Sequence, residues 1–145
     1  APPDATAFAD LGDAALGVTS PAQWSPQAVY KPDIGPTPQV FVRRFTGKFK
    51  TAPTDQAAAG YASGLILGHA IEKAGTTEPG RVAAALNRID LTTLFGRARF
   101  ATEAKEHGLQ VGHEMVLRQW QKRAGRLAPE VIWPLPAKTA SPLGG

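Results

Sequence analysis

The sequence predicts an α/β fold in which about three main helices pack on a small mixed sheet. Three observations carry that expectation. Phe41, Phe45 and Phe49 recur every four residues, the spacing of one helix face. Residues 55–75, DQAAAGYASGLILGHAIEKAG, hold an apolar run of helix length between a capping residue and a glycine stop. Further short strand-like runs, RARF, EMVLRQWQ and EVIWP, follow in the last third of the chain.

Each element has a local reason. Asp4 can cap a short helix, ATAFADLG, with Phe8 and Leu11 on one side and Gly12 as its stop. AALGVTS reads as a short buried strand ending in turn residues. From Pro21 to Pro38 five prolines remove backbone donors and fix φ, so this stretch is expected to cross over or link without regular elements. Thr37-Pro38 then opens a helix, with a capping hydroxyl followed by a proline in the first turn. Its phenylalanines are expected in the core, and Arg43, Arg44, Lys48 and Lys50 take the remaining surface.

The long small-residue helix follows, capped by Thr54 or Asp55 and stopped by Gly75. Its apolar residues cover nearly the whole circumference, which is the pattern of a buried helix. Gly60, Gly64 and Gly68 are expected to admit a close neighbour; the run is too poor in large apolar residues for a membrane span. Thr77-Glu78-Pro79 opens a third helix that turns Val82, Leu86 and Ile89 inward. After the turn LTTLFG, strands are expected at 97–100, 114–121 and 130–134, and the final residues are expected to fray. No internal repeat appears.

Composition narrows the function. The 145 residues suit one domain with one core. The chain has no cysteine, which removes disulfides, thiolate catalysis and cysteine-bound zinc. APPDATAF carries no basic segment followed by an apolar run, so no secretory signal is expected there; a mature chain would look the same. The net charge of +4 is scattered, without the interleaved aromatics and bases of a nucleic-acid groove, so a solvated surface is expected and no nucleic-acid partner.

Catalytic patterns are missing. There is no G-x-S-x-G elbow, no phosphate loop and no close carboxylate pair. His107 and His113 share a loop with Glu103, Glu106 and Glu114, but their spacing matches no metal-ligand pattern. His69, alone on an apolar helix, reads as a hydrogen-bonded core histidine. The expectation is a protein without enzymatic activity, metal or cofactor.

Certain segments in order form a further pattern: FADLGDAALGVTSPAQWSP, FVRRFTGKF, GYASGLILGHAIEKAG, VAAALNRIDLTTLFGRARF, HEMVLRQWQ and EVIWPLPAKTA. Gly60-Tyr61, Ala70-Ile71 with Ala74-Gly75, Thr92-Thr93 with Gly96 to Phe100, Gln119-Trp120 and Trp133-Pro134 are the matching positions. The series resembles the C-terminal portion of substrate-binding proteins of branched-chain amino-acid ABC transporters, the Leu/Ile/Val type, with a type I periplasmic-binding-protein fold. It departs at Ser63-Gly64 and in the long connection AKEHGLQVGH.

The resemblance implies an incomplete fold of two lobes around a ligand cleft. Residues 4–19 would end one lobe, 20–37 form the proline-rich crossover, and 38–95 the helical part of the other lobe. Residues 96–137 would supply returning strands, and 138–145 a tail. It also implies an amino-acid or carboxylate ligand, a membrane permease as partner, a periplasmic or extracytoplasmic location, and ligand contacts at Gln56 and Trp24. Gln56 stands five residues before Tyr61, at the start of the helix. The alternative is a ligand-sensing or scaffolding domain that uses the same fold. A lobe lacking strands exposes apolar faces, so a homodimer of this piece is also expected.

Overall fold

The computed structural model describes residues 10–144, so the short helix expected from Asp4 and its Phe8 lie outside the described residues. The chain divides into two compact units. One runs up to Val29 and resumes at Met115; the other is Tyr30–Glu114.

In the first unit, Gly12–Ala15 makes a single 3-10 turn where the start of a buried strand was expected. Strand β1, Thr19–Ala22, comes later and takes in Pro21, which corrects the expectation that regular structure stops there. The physical reason is its position. In its three-stranded antiparallel sheet β1 is an edge, where a proline need not donate to a ladder. Strand β4, Val116–Arg123, is central, and β5, Arg126–Trp133, forms the other edge and holds Pro129. Ala124 and Gly125 join them with φ of 46° and 77°, the two positive values of a primed hairpin turn that follows strand twist.

The end of the chain is pinned, not frayed. Thr139 N donates to Val131 O at 2.7 Å, and Thr139 Oγ1 donates to Glu130 Oε2 at 2.6 Å. Two buried glutamines of β4 hold the residues beyond. Gln121 Nε2 donates to Ser141 O at 2.8 Å, while Gln119 Oε1 accepts Leu143 N at 2.7 Å and Gln119 Nε2 donates to Leu143 O at 3.2 Å. Buried amides need partners, and the backbone of the tail supplies them.

The second unit holds the helices, and their boundaries follow the local caps. Helix α1 is Pro38–Phe49, with Thr37 Oγ1 accepting Val40 N. Helix α2 is Asp55–Ala74, with Thr54 Oγ1 accepting Ala57 N at one end and Gly75 at φ 65° at the other. Helix α3 is Pro79–Leu86. Glu78 caps it through both carboxylate oxygens, to Gly80 N at 2.9 Å and Arg81 N at 2.8 Å, and these backbone donors hold its pKa below the usual glutamate value.

The sequence reading missed one strand. Leu91-Thr92-Thr93 belong to β2, Asp90–Thr93, which pairs antiparallel with β3, Gly96–Arg99, across the two-residue loop Leu94-Phe95. Arg97 makes a bidentate pair with Asp90, both bonds at 2.6 Å, and this holds the aspartate below its ordinary pKa. Asp33, inside the proline-rich stretch, is tied to β2 from both sides. Its N–H donates to Thr92 O at 2.8 Å, and its Oδ2 accepts Thr92 N at 2.6 Å. Ala70, Val82, Ile89, Leu91 and Ala98 form the core between α2, α3 and this hairpin, with Ile34, Ile66 and Leu86 packed around it.

Two burial expectations are corrected. Of the phenylalanine stripe only Phe41 is buried; Phe45 is half-buried and Phe49 exposed. Helix α2 is not buried all round: Ala58, Ala62 and Ala70 are, while Gly60, Ser63, Gly64, Leu67 and Gly68 are exposed. A methyl group placed on Gly60, Gly64 or Gly68 would meet nothing within 4 Å among the described residues. These glycines therefore cost helix stability here without a packing return. Gly64→Ala is expected to stabilise this chain by about 0.5–1 kcal/mol, read from chemical denaturation; a loss of stability would show that a neighbour does approach the helix there.

Candidate functional site

The two residues to which the resemblance assigns ligand contacts lie in different units and in opposite environments. Gln56 is the second residue of α2, two residues after the Thr54 cap and within the first turn, and is exposed. Its primary amide can donate to a carboxylate and accept from an ammonium, the two groups of an amino-acid backbone. The first turn of a helix also carries the positive end of its dipole.

Trp24 sits after β1 and is 1% exposed. Ser25 beside it is also fully buried, donating through Oγ to Gln27 Oε1 at 2.6 Å, and Ala28 N closes the turn on Ser25 O at 3.1 Å. The ring is thus enclosed in the described form of the chain.

Next to Gln56, α1 and α2 enclose an aromatic groove of about 300 Å³. Phe41 and Phe45 have ring centroids 5.7 Å apart, Phe45 and Phe49 4.5 Å, and Phe41 meets Tyr61 at 5.0 Å, all tilted. Arg44 and Lys48 line the same groove, as do Pro36 and Ala57. An apolar floor with cations at its rim can take a molecule that joins an apolar body to a carboxylate.

A second cluster surrounds the β2–β3 loop. Gly96, at φ 112°, stands where a methyl group would meet His113 Nδ1 at 3.2 Å and the Tyr30 hydroxyl at 3.4 Å. The His113 ring stacks on Phe95 at 4.9 Å and 20°. Burial, reinforced by the negative charge of Glu114, pushes the Tyr30 hydroxyl up to about 12. A phenol in that state is a neutral hydrogen-bonding group at any physiological pH. Gln110 organises the loop below it: Oε1 accepts Gly112 N at 2.6 Å and His113 N at 3.2 Å, and Nε2 donates to Arg97 O at 2.9 Å.

His107 and His113 lie in the connection between β3 and β4. His107 Nε2 accepts from Asn87 Nδ2 at 3.2 Å, and among the described residues no three metal-ligating side chains are grouped to hold an ion. Tyr30, Gln110 and Gly112 escaped the sequence reading. Tyr30 stands among prolines and Gln110 in a polar loop, so neither shows the periodicity that would single it out.

A sequence profile of the periplasmic binding proteins matches residues 3–126. The chain belongs to the periplasmic binding protein family. No curated protein matches it. Among solved structures it is similar to a periplasmic binding protein from Burkholderia mallei at 20% identity and a TM-score of 0.59, over 83% of this chain and 30% of that one. It is also similar to a leucine binding protein, LivK, from Thermotoga maritima at 22% identity and a TM-score of 0.55, over 82% of this chain and 31% of that one.

At these identities the likeness is one of fold, and it bears out the expected partial type I architecture, with three α-helices and small sheets among the described residues. The chain spans about a third of the length of these structures. Neither comparison supports the homodimer expected of this piece. Among the described residues no helix is long and apolar enough to cross a membrane.

Proposed function

We propose that this periplasmic binding protein chain is part of the extracytoplasmic solute-binding component of an ABC transporter for branched-chain or related amino acids or small carboxylates. The observation that carries the reading is the family match across residues 3–126, with a leucine binding protein among its structural neighbours. The mechanism is binding and release without catalysis. Two lobes close over the solute, and the closed form docks on a membrane permease. In the two-lobe protein Gln56 contributes an amide to the head group and Trp24 an aromatic contact. The upstream segments supply the rest of the grip, and this chain alone binds solute weakly or not at all.

The test is a thermal-shift series on this chain and on a two-lobe protein that contains it, against amino acids and aromatic acids. A solute that binds only the folded state stabilises it by about 2.7 kcal/mol at a hundred times its Kd. The two-lobe protein is expected to shift with at least one amino acid while the chain does not. Gln56→Ala in the two-lobe protein is expected to weaken binding about fivefold, the net worth of one lost hydrogen bond, with stability unchanged. No shift with any solute would remove the transport reading; a shift with a Gln56→Ala affinity equal to wild type would remove only the role of Gln56.

A further inference from the structure

Gln119 and Gln121 stand two residues apart on one face of β4 and are 5% and 6% exposed. Gln119 Nε2 donates to Gly17 O at 3.1 Å, and Gln119 Oε1 accepts Gln121 Nε2 at 2.9 Å. These two bonds fix which way the Gln119 amide faces, and neither involves the residues after β5. The oriented pair still offers an acceptor and a donor side by side on Gln119 and a second donor on Gln121. A peptide backbone fills all three. Leu143 N donates to Gln119 Oε1 at 2.7 Å, Leu143 O accepts Gln119 Nε2 at 3.2 Å, and Ser141 O accepts Gln121 Nε2 at 2.8 Å. Gln119 thus exchanges both bonds with one residue, as a strand partner does, but from a side chain.

The contacts change in kind along the tail. Thr139 is held through its own side chain: the hydroxyl accepts Val131 N at 2.9 Å and donates to Glu130 Oε2 at 2.6 Å. Residues 141–143 are held through backbone atoms, and the side chains of Ser141 and Leu143 are exposed. Pro142 between them has no N–H to satisfy and drives Ser141 toward an extended backbone.

We infer that the amides of Gln119 and Gln121 form a binding site for a short peptide backbone, and that residues 141–143 occupy it as a displaceable strap anchored at Thr139. The ligand class follows from the donors and acceptors. It is a peptide that presents a carbonyl at one residue and both N–H and C=O two residues on, whatever its side chains. The site is preorganised, because Gly17 and Gln121 hold the Gln119 amide whether or not the strap is docked. Release leaves no buried polar group without a partner, since the amides that the strap covers then meet water. The lifted residues also regain backbone freedom, so the strap opens locally and far more often than the sheet beneath it. While docked, it closes the site to any other chain. The inference does not rest on the solute-binding reading; it concerns different residues and a different ligand.

The test is nuclear magnetic resonance on the isotope-labelled 145-residue chain. In hydrogen exchange the Leu143 amide is expected to be protected about tenfold or more over an unstructured amide. It should still exchange about a hundredfold faster than the Trp120 amide, which donates to Val18 O at 3.0 Å within the first unit. Leu143→Pro changes an exposed residue and removes the one N–H that the site accepts, so the fold is expected to persist by circular dichroism. Its Gln119 and Gln121 side-chain amide resonances should move toward those of solvated glutamine. A free peptide of residues 138–144, added to this variant at millimolar concentration, is expected to restore them. The same peptide with alanine in place of its serine and leucine should do so equally, and one with N-methylleucine should not. The inference is overturned if Leu143 is unprotected, if it exchanges no faster than Trp120, or if the proline variant keeps wild-type side-chain resonances. It is equally overturned if no peptide restores them, if the alanine peptide fails where the native one binds, or if N-methylation changes nothing.

Discussion

Trp24→Ala is expected to destabilise the chain by about 3–5 kcal/mol, the cost of deleting a large enclosed aromatic side chain. The ring is 1% exposed, and its neighbours Ala22, Ser25 and Ala28 are buried with it. The proline-rich stretch cannot rearrange cheaply to fill the space, because Pro21 and Pro26 fix the backbone on either side. Urea denaturation followed by tryptophan fluorescence and circular dichroism measures the loss. A cost under about 1 kcal/mol would mean that the ring supports little and is free to serve a solute. The proposed ligand role of Trp24 is therefore separable from that of Gln56. An exposed first-turn glutamine can change affinity without changing stability, whereas a change at Trp24 alters both.

The second large effect is expected at Gly112. A methyl group there would stand 2.8 Å from Arg99 N, 3.0 Å from Arg99 Cβ and 3.2 Å from Arg97 O. Two of these neighbours are backbone atoms of β3, and no side-chain rotation relieves them. Gly112 N is also the closest donor to Gln110 Oε1, at 2.6 Å, so displacing the loop loosens the amide that ties 110–113 to the hairpin. Gly112→Ala is expected to cost about 1–3 kcal/mol, the range for forcing atoms into a filled space. Gln110→Ala made beside it and combined with it should be less than additive, because both changes release the same loop. Gly112→Ala at wild-type stability would show that the 110–113 segment does not lie against β3 as described.

The contrast between Gly112 and Gly64 separates what is local in this chain from what is not. Helix limits were legible because they depend on neighbours in sequence. Thr37 with Pro38, Thr54 and Glu78 with Pro79 each satisfy first-turn donors, and Gly75 can adopt the left-handed stop. The family resemblance was legible for the same reason: it lies in ordered short motifs. Strand β2 was not, since LTTLFG reads as a turn until its pairing with Gly96–Arg99 is known. Gln119 and Gln121, two residues apart, look like a solvent-facing polar pair on a strand. They are buried because the far end of the chain folds back onto them.

Burial itself was the least legible property. Composition made α2 apolar on every side and so predicted a helix buried on every side. Tertiary structure enclosed only the face of Ala58, Ala62 and Ala70, and left Gly60, Gly64 and Gly68 without a neighbour. The same holds for the phenylalanine ladder, whose spacing specifies one face of α1 but not how far α2 reaches along it. By itself the sequence determined where helices begin and end, which residues share a face, and the family, because these are set by dihedral preference, capping and short-range pattern. Only the tertiary structure decided which faces are covered. Coverage depends on long-range packing, and no residue can encode by its own type what will come to lie against it.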